Sequence, residues 1–106
     1  MATGILGTAD LAATSNTTLY TVPSDTFTVA NINMCNRTSS AVTVRIALAA
    51  SGTPGDAEYI EFDTEIPAKG VLERTGIVLD AAKNIVVYSN TTSVNAVAYG
   101  IETSTV

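Results

Sequence analysis

Along most of this chain apolar and polar residues alternate with a period of two, the spacing of a strand that buries one face. The cleanest run is Ala41 to Ala49, where Val42, Val44, Ile46 and Leu48 share one parity and Thr43, Arg45, Ala47 and Ala49 the other. That pattern predicts an antiparallel strand with its branched side chains turned inward, and makes Val44 and Ile46 the foremost core candidates. Thr17 to Val22 reads as a strand stopped by Pro23, which has no N–H to give to a ladder. Further strands are predicted over Phe27 to Met34, Glu58 to Asp63, Val71 to Leu79, Ile85 to Ser89 and Ser93 to Glu102. In the first of these the apolar phase shifts between Val29 and Ile32, as a bulge near Ala30 or Asn31 would cause, or burial on both faces.

Turn residues fall between these runs, at Asn36 to Ser40, Ser51 to Asp56, Pro67 to Gly70, Asp80 to Asn84 and Asn90 to Thr92. The stretch Ser51-Gly52-Thr53-Pro54-Gly55-Asp56 is the strongest break and predicts a surface loop. Apolar residues at helical spacing are missing over any stretch of three turns, and β-branched residues run throughout, so helix is nearly excluded. About seven to eight strands at roughly ten-residue intervals specify an all-β fold, an antiparallel β-sandwich of jelly-roll or Ig-like type.

At 106 residues the chain has room for one core. The β-sandwich is expected over residues 15–106. Residues 1–14, with Gly4, Gly7 and several Ala and Thr, read as an extended N-terminal arm. Such an arm either reaches onto a neighbour through Thr3, Ile5, Leu6 and Leu11 or is disordered. Hydrophobic residues make up 46% of the chain but aromatics only 6%, with no Trp, so the core is built from many small contacts. Packing against other subunits is therefore expected to add to the stability of the monomer.

Charge narrows the range of partners. The formal net charge is −5, from 5 basic and 10 acidic residues, which argues against nucleic acid and against anionic membranes. The opening MATGILGTADLAAT has neither a basic region nor a continuous apolar block, which predicts synthesis in a cytoplasm without general secretory export. The sequons at Asn16, Asn36 and Asn90 then read as products of a Thr-rich composition. The lone Cys35 lies in a predicted strand and reads as a small buried hydrophobe.

Candidate chemistry is sparse. Without His there is no imidazole base and no histidine metal site, and no glycine-rich phosphate loop occurs. Asp56, Glu58, Glu61, Asp63 and Glu65 form the one acidic concentration. Glu61, Asp63 and Glu65 share parity, so on an extended strand their carboxylates would line one face. Three readings of that row are open: calcium ligation, a glycosidase-like acid pair, or an exposed polar face whose charges are relieved by Arg74 or Lys69. A sugar-binding face of Thr, Ser and Asn is disfavoured beside ordinary β-propensity, because Tyr20, Tyr59, Tyr88 and Tyr99 are the only large amphipathic rings. No cofactor is expected.

TTLYTVPSDTFTVANINMCNR, AVTVRIALA, YIEFDTEIPAKGVLERTGIVL and NIVVYS together resemble a pattern seen in small virion structural proteins of tailed bacteriophages. The matching positions are Tyr20 to Pro23, Cys35 to Arg37, Val42 to Ala49 and Tyr59 to Ile77. The resemblance implies a non-enzymatic β-sandwich subunit located in the virion and made in the host cytoplasm. Capsid decoration or cement is its first reading, with the major capsid protein or other virion proteins as partners. The alternative is a neck, tail or fibre component that binds a receptor or carbohydrate. It carries over no catalytic residue, and local capsid symmetry makes a homo-oligomer, a trimer first, the expected state.

Overall fold

In the computed structural model, which describes residues 2–106, eight strands form: β1 (Thr3–Asp10), β2 (Thr17–Thr21), β3 (Thr26–Asn36), β4 (Val42–Ala49), β5 (Tyr59–Ile66), β6 (Val71–Leu79), β7 (Asn84–Ser89) and β8 (Val94–Ser104). A single 3₁₀ turn at Asp56–Glu58 precedes β5. The pairs β1 with β8, β2 with β7, β3 with β6 and β4 with β5 are nested like the arms of one long hairpin, and all are antiparallel. Rolling that hairpin adds the pairs β3 with β8 and β4 with β7. Two four-stranded sheets result, β1-β8-β3-β6 and β2-β7-β4-β5. This order is the eight-stranded jelly roll, so of the two expected sandwich types the first is the one formed.

Between the sheets lie small aliphatic side chains. Ala30, Ile32 and Met34 of β3 and Ala96 and Ala98 of β8 face Val42, Val44 and Ile46 of β4 and Ile85 and Val87 of β7. All but Val42 are fully buried, so many short branched chains do the work of a few large ones. Polar groups close the two ends. At one, Tyr20 donates to Glu102 Oε2 at 2.5 Å and shares a 2.8 Å hydrogen bond with Thr28 Oγ1. Burial, helped by the bond to Glu102, pushes the Tyr20 hydroxyl up to about 12. At the other end Asn36, expected at the start of a turn, is fully buried. Its amide donates to Ser40 O, Ile66 O and Pro67 O, and its carbonyl accepts from Thr38 N and Oγ1. The acceptor side chain of its sequon is thus buried in the fold.

The phase shift anticipated in β3 has a different cause. The β3–β8 register runs unbroken from Thr26 opposite Ser104 to Asn36 opposite Val94. Thr26 and Thr28 face the core while Phe27 and Val29 face solvent. A bulge does occur opposite Ala30 and Ile32, but its extra residue is on β6. Gly76 takes it up at φ 67°, a backbone conformation open to glycine, and its N–H donates to Asn31 Oδ1.

Residues 3–14 are not a free arm. β1 pairs with β8 from Thr3 opposite Ile101 to Asp10 opposite Asn95. Leu11 is buried, with its N–H on Val94 O, and Thr14 N–H reaches Ser89 O. Leu6 packs partly against the core, and Gly7 lies so close to the Leu19 carbonyl that a Cβ would not fit. Of the residues expected to reach a neighbour, Thr3 and Ile5 stay exposed, while Leu11 serves this chain's own core. The reason is the unpaired edge of β8: a backbone ladder satisfies those N–H and C=O groups, and a short Gly-containing strand can bend to reach them. Met1 lies outside the described residues.

Deleting residues 1–14 is expected to lower the unfolding free energy by more than the roughly 2–5 kcal/mol of one buried leucine. Urea titration followed by circular dichroism checks this, and a midpoint equal to that of the full chain would contradict the integrated strand. Tyr20 sets an alkaline limit. Its folded value is raised, so above about pH 10 the unfolded chain ionises first, and stability of order 2–3 kcal/mol is lost between about pH 10 and 12. Tyr20→Phe should flatten that limb of the stability profile.

Candidate interaction faces

Each sheet has one face turned away from the core, and side chains of the outward parity define what it can contact. On the outer face of β1-β8-β3-β6 the register aligns Thr3, Ile101, Val29 and Val78 across all four strands. Phe27 stands one step along β3, and Ile5 stands beside Tyr99 on the other side of the row. Ile5 and Val78 are 65% exposed, Ile101 55%, Val29 41% and Phe27 36%. These five are more than half of the exposed large apolar side chains among the described residues. Scattered exposed aliphatics are ordinary, but a row that spans a sheet is the mark of a contact surface. Cys35, half-buried, stands on this same outer face opposite Val71 and Asn95, not in the core as expected.

The outer face of β2-β7-β4-β5 is different. Arg45 lies opposite Tyr88 in the β4–β7 register, and its guanidinium is held between two rings, 4.1 Å from the Phe62 centroid and 4.5 Å from that of Tyr88. Its Nε and Nη2 donate to Asp63 at 2.6 and 3.3 Å. Tyr59 meets Phe62 at right angles with centroids 4.9 Å apart, and these two rings with Asp56 line an open pocket of about 280 Å³. The loop before β5 is shaped by Glu58, which accepts from Gly55 N at 2.8 Å and Ala50 N at 3.0 Å. Those backbone donors hold its carboxyl below the usual range. Tyr59 also covers Ala47, Ala49 and Val86, a small second apolar cluster on this side.

The acidic row expected of Glu61, Asp63 and Glu65 does not form. A bulge sets Val44 opposite Thr64 but Ile46 opposite Glu61, and Asp63 adopts φ 52°. Parity is broken there. Glu61 turns to the rim of the sandwich, accepting from Thr64 Oγ1 at 2.6 Å and from Arg74 of the other sheet at 2.5 Å. Asp63 goes to Arg45, and Glu65 stays exposed opposite Thr43. No three carboxylate or thiol side chains among the described residues gather as metal ligands. The Thr64 hydroxyl and Arg74 depress Glu61, and Arg45 depresses Asp63, so both are poor proton donors.

Positive charge is wholly engaged. Arg37 pairs with Asp10, Arg45 with Asp63, Arg74 with Glu61 and Lys83 with Asp80, while Lys69 donates to Arg37 O. Among the described residues no helix is long and apolar enough to cross a membrane. No protein-family model matches the chain, and no curated protein matches it.

The sequence points to Thr3 and Ile5 as part of an arm, and gives no sign that they share a sheet face with Phe27, Val29, Val78 and Ile101. In sequence the tyrosines read only as a poor aromatic platform for sugar, and two of them, Tyr59 and Tyr88, meet around Phe62 and Arg45. The outward parity of Arg45 was a readable signal for that cluster; the β5 bulge that aims Phe62 at it was not.

Acid should weaken the fold. Glu61 and Asp63 have depressed folded values, so their contribution is present above the unfolded carboxylate range and is lost as pH falls below about 4. Thermal unfolding at pH 7 and pH 3 should show a drop that Glu61→Gln makes smaller.

Proposed function

We propose that this protein is a non-enzymatic structural component of a tailed-bacteriophage virion, made in the host cytoplasm. Its role is that of a decoration or cement subunit that binds the major capsid protein and stabilises the head. The observation that carries this reading is the apolar row Ile101, Val29 and Val78, ended by Thr3 and flanked by Ile5 and Phe27, on the outer face of one sheet. Covering such side chains releases about 25 cal/mol per Å² of apolar area, and repetition over a symmetric shell multiplies modest single contacts. The sequence resemblance points the same way, and a jelly roll suits the role without deciding it. Absence of His and the commitment of Glu61 and Asp63 to arginines favour adhesion over catalysis. A trimer matched to local shell symmetry is the assembly this reading favours.

A second reading, a neck, tail or fibre module that binds a receptor or carbohydrate, draws on the Tyr59–Phe62 pocket beside the loop 51–56. Adsorption of purified protein to host cells would favour it.

The double substitution Val29→Lys with Ile101→Lys tests the first reading. Both side chains are exposed, so the melting temperature should hold, while affinity for particles stripped of this protein should fall at least a hundredfold. Unchanged sedimentation with the particles would overturn attachment through this face.

A further inference from the structure

We propose that the pocket walled by Tyr59, Phe62 and Asp56 receives a cationic side chain, lysine or arginine, from a partner protein. This deepens the attachment reading and rests on it for the identity of the partner. The surface already shows how it treats a cation. Arg45 is held by ring faces on both sides and by a carboxylate, the combination that compensates a guanidinium for partial loss of water. The pocket next to it repeats the ingredients: two rings at 83°, one of them Phe62 itself, and an acidic residue, Asp56, in the lining.

Charge complementarity selects the occupant. The chain has twice as many acidic as basic residues, 10 against 5, and each of those 5 is engaged within the fold. None of the four ion pairs involves Asp56, so no side chain of this protein competes for it among the described residues. Arg45, over the ring of Phe62, is directed to Asp63, and Lys83 to Asp80, so neither is engaged by Asp56. Size agrees. At about 280 Å³ the pocket is just under the range of roughly 300–1,000 Å³ typical of drug-sized ligands, and it suits one side chain better than a chain of sugars. Glu58 fixes the loop through two backbone N–H groups, so the rim is set before anything binds.

The test is a nuclear magnetic resonance titration of the full chain, following the ring signals of Tyr59 and Phe62. The probes are Nα-acetyl-lysine methylamide, Nα-acetyl-arginine methylamide, the neutral Nα-acetyl-norleucine methylamide and methyl glucoside. The cationic probes should shift both rings and saturate in the millimolar range, with the norleucine probe at least tenfold weaker. Asp56→Asn should weaken cation binding at least fivefold, whereas Glu65→Gln, which removes the same charge away from the pocket, should leave it unchanged. Equal binding of the neutral probe, preference for the glucoside, or no response to either cation would overturn the proposal. Attachment to stripped particles, measured on the same variants, separates the two readings. Cation binding without attachment would sink the virion role and leave the pocket's charge preference standing; attachment without cation binding would do the reverse.

Discussion

Every part of this molecule depends on the burial of small, mostly branched side chains between two sheets whose strands must keep their registers, because Tyr20, at one end, is the one aromatic among the buried residues described. A one-residue slip of β4 would carry Val42, Val44 and Ile46 to solvent and Thr43 inward. In β3 and β4 that constraint sets the apolar inward residues, Ala30, Ile32 and Met34 against Val42, Val44 and Ile46, with Thr26, Thr28 and Asn36 inward on the same parity of β3. The nested pairing closes the roll only when the first strand meets the last. β1 is therefore structural, and a segment whose composition suggested an arm is held by a ladder with β8.

The same constraint explains which features were legible in the sequence. Period-two alternation exposed β4 directly, since Val42, Val44 and Ile46 are inward as read, and it placed most of the other strands within a few residues. It could not show the sheet order, because strand pairing across the whole chain leaves no local signature. It failed at β1, where tertiary pairing overrode a weak local preference, and at β3, where Phe27 and Val29 are apolar but outward. An apolar residue on the wrong parity is ambiguous by itself: it signals either a bulge or a sticky outer face. The unbroken β3–β8 register resolves it as the second.

Bulges decided the fate of the acidic segment. Equal parity at Glu61, Asp63 and Glu65 promised one carboxylate face, yet a single extra residue in β5 sent the three in separate directions. Two of them meet arginines, one within the sheet and one across the sandwich rim, so the segment closes the open edge between β5 and β6. A solvent-facing pair such as Arg45 with Asp63 adds little stability singly. Their larger effect is geometric: the turn that delivers Asp63 to Arg45 also stacks Phe62 on its guanidinium and sets one wall of the pocket.

The two outer faces look in opposite directions across the thickness of the sandwich, one apolar and one aromatic and acidic. A flat partner that covers Val29, Val78 and Ile101 cannot also reach Tyr59 and Asp56, since packed sheets stand about 10 Å apart and side chains extend that distance on both sides. If the apolar face lies on a shell, the cation for the pocket must come from a neighbouring subunit that rises beside it, or from a projecting loop. Under that geometry the two faces would act at different steps, the apolar one in adhesion to the lattice and the charged one in selecting the position on it. Desolvation of aliphatic rows is weakly directional, whereas a guanidinium or ammonium between rings and a carboxylate tolerates little displacement. Affinity and placement would then be divided between opposite sides of one small fold.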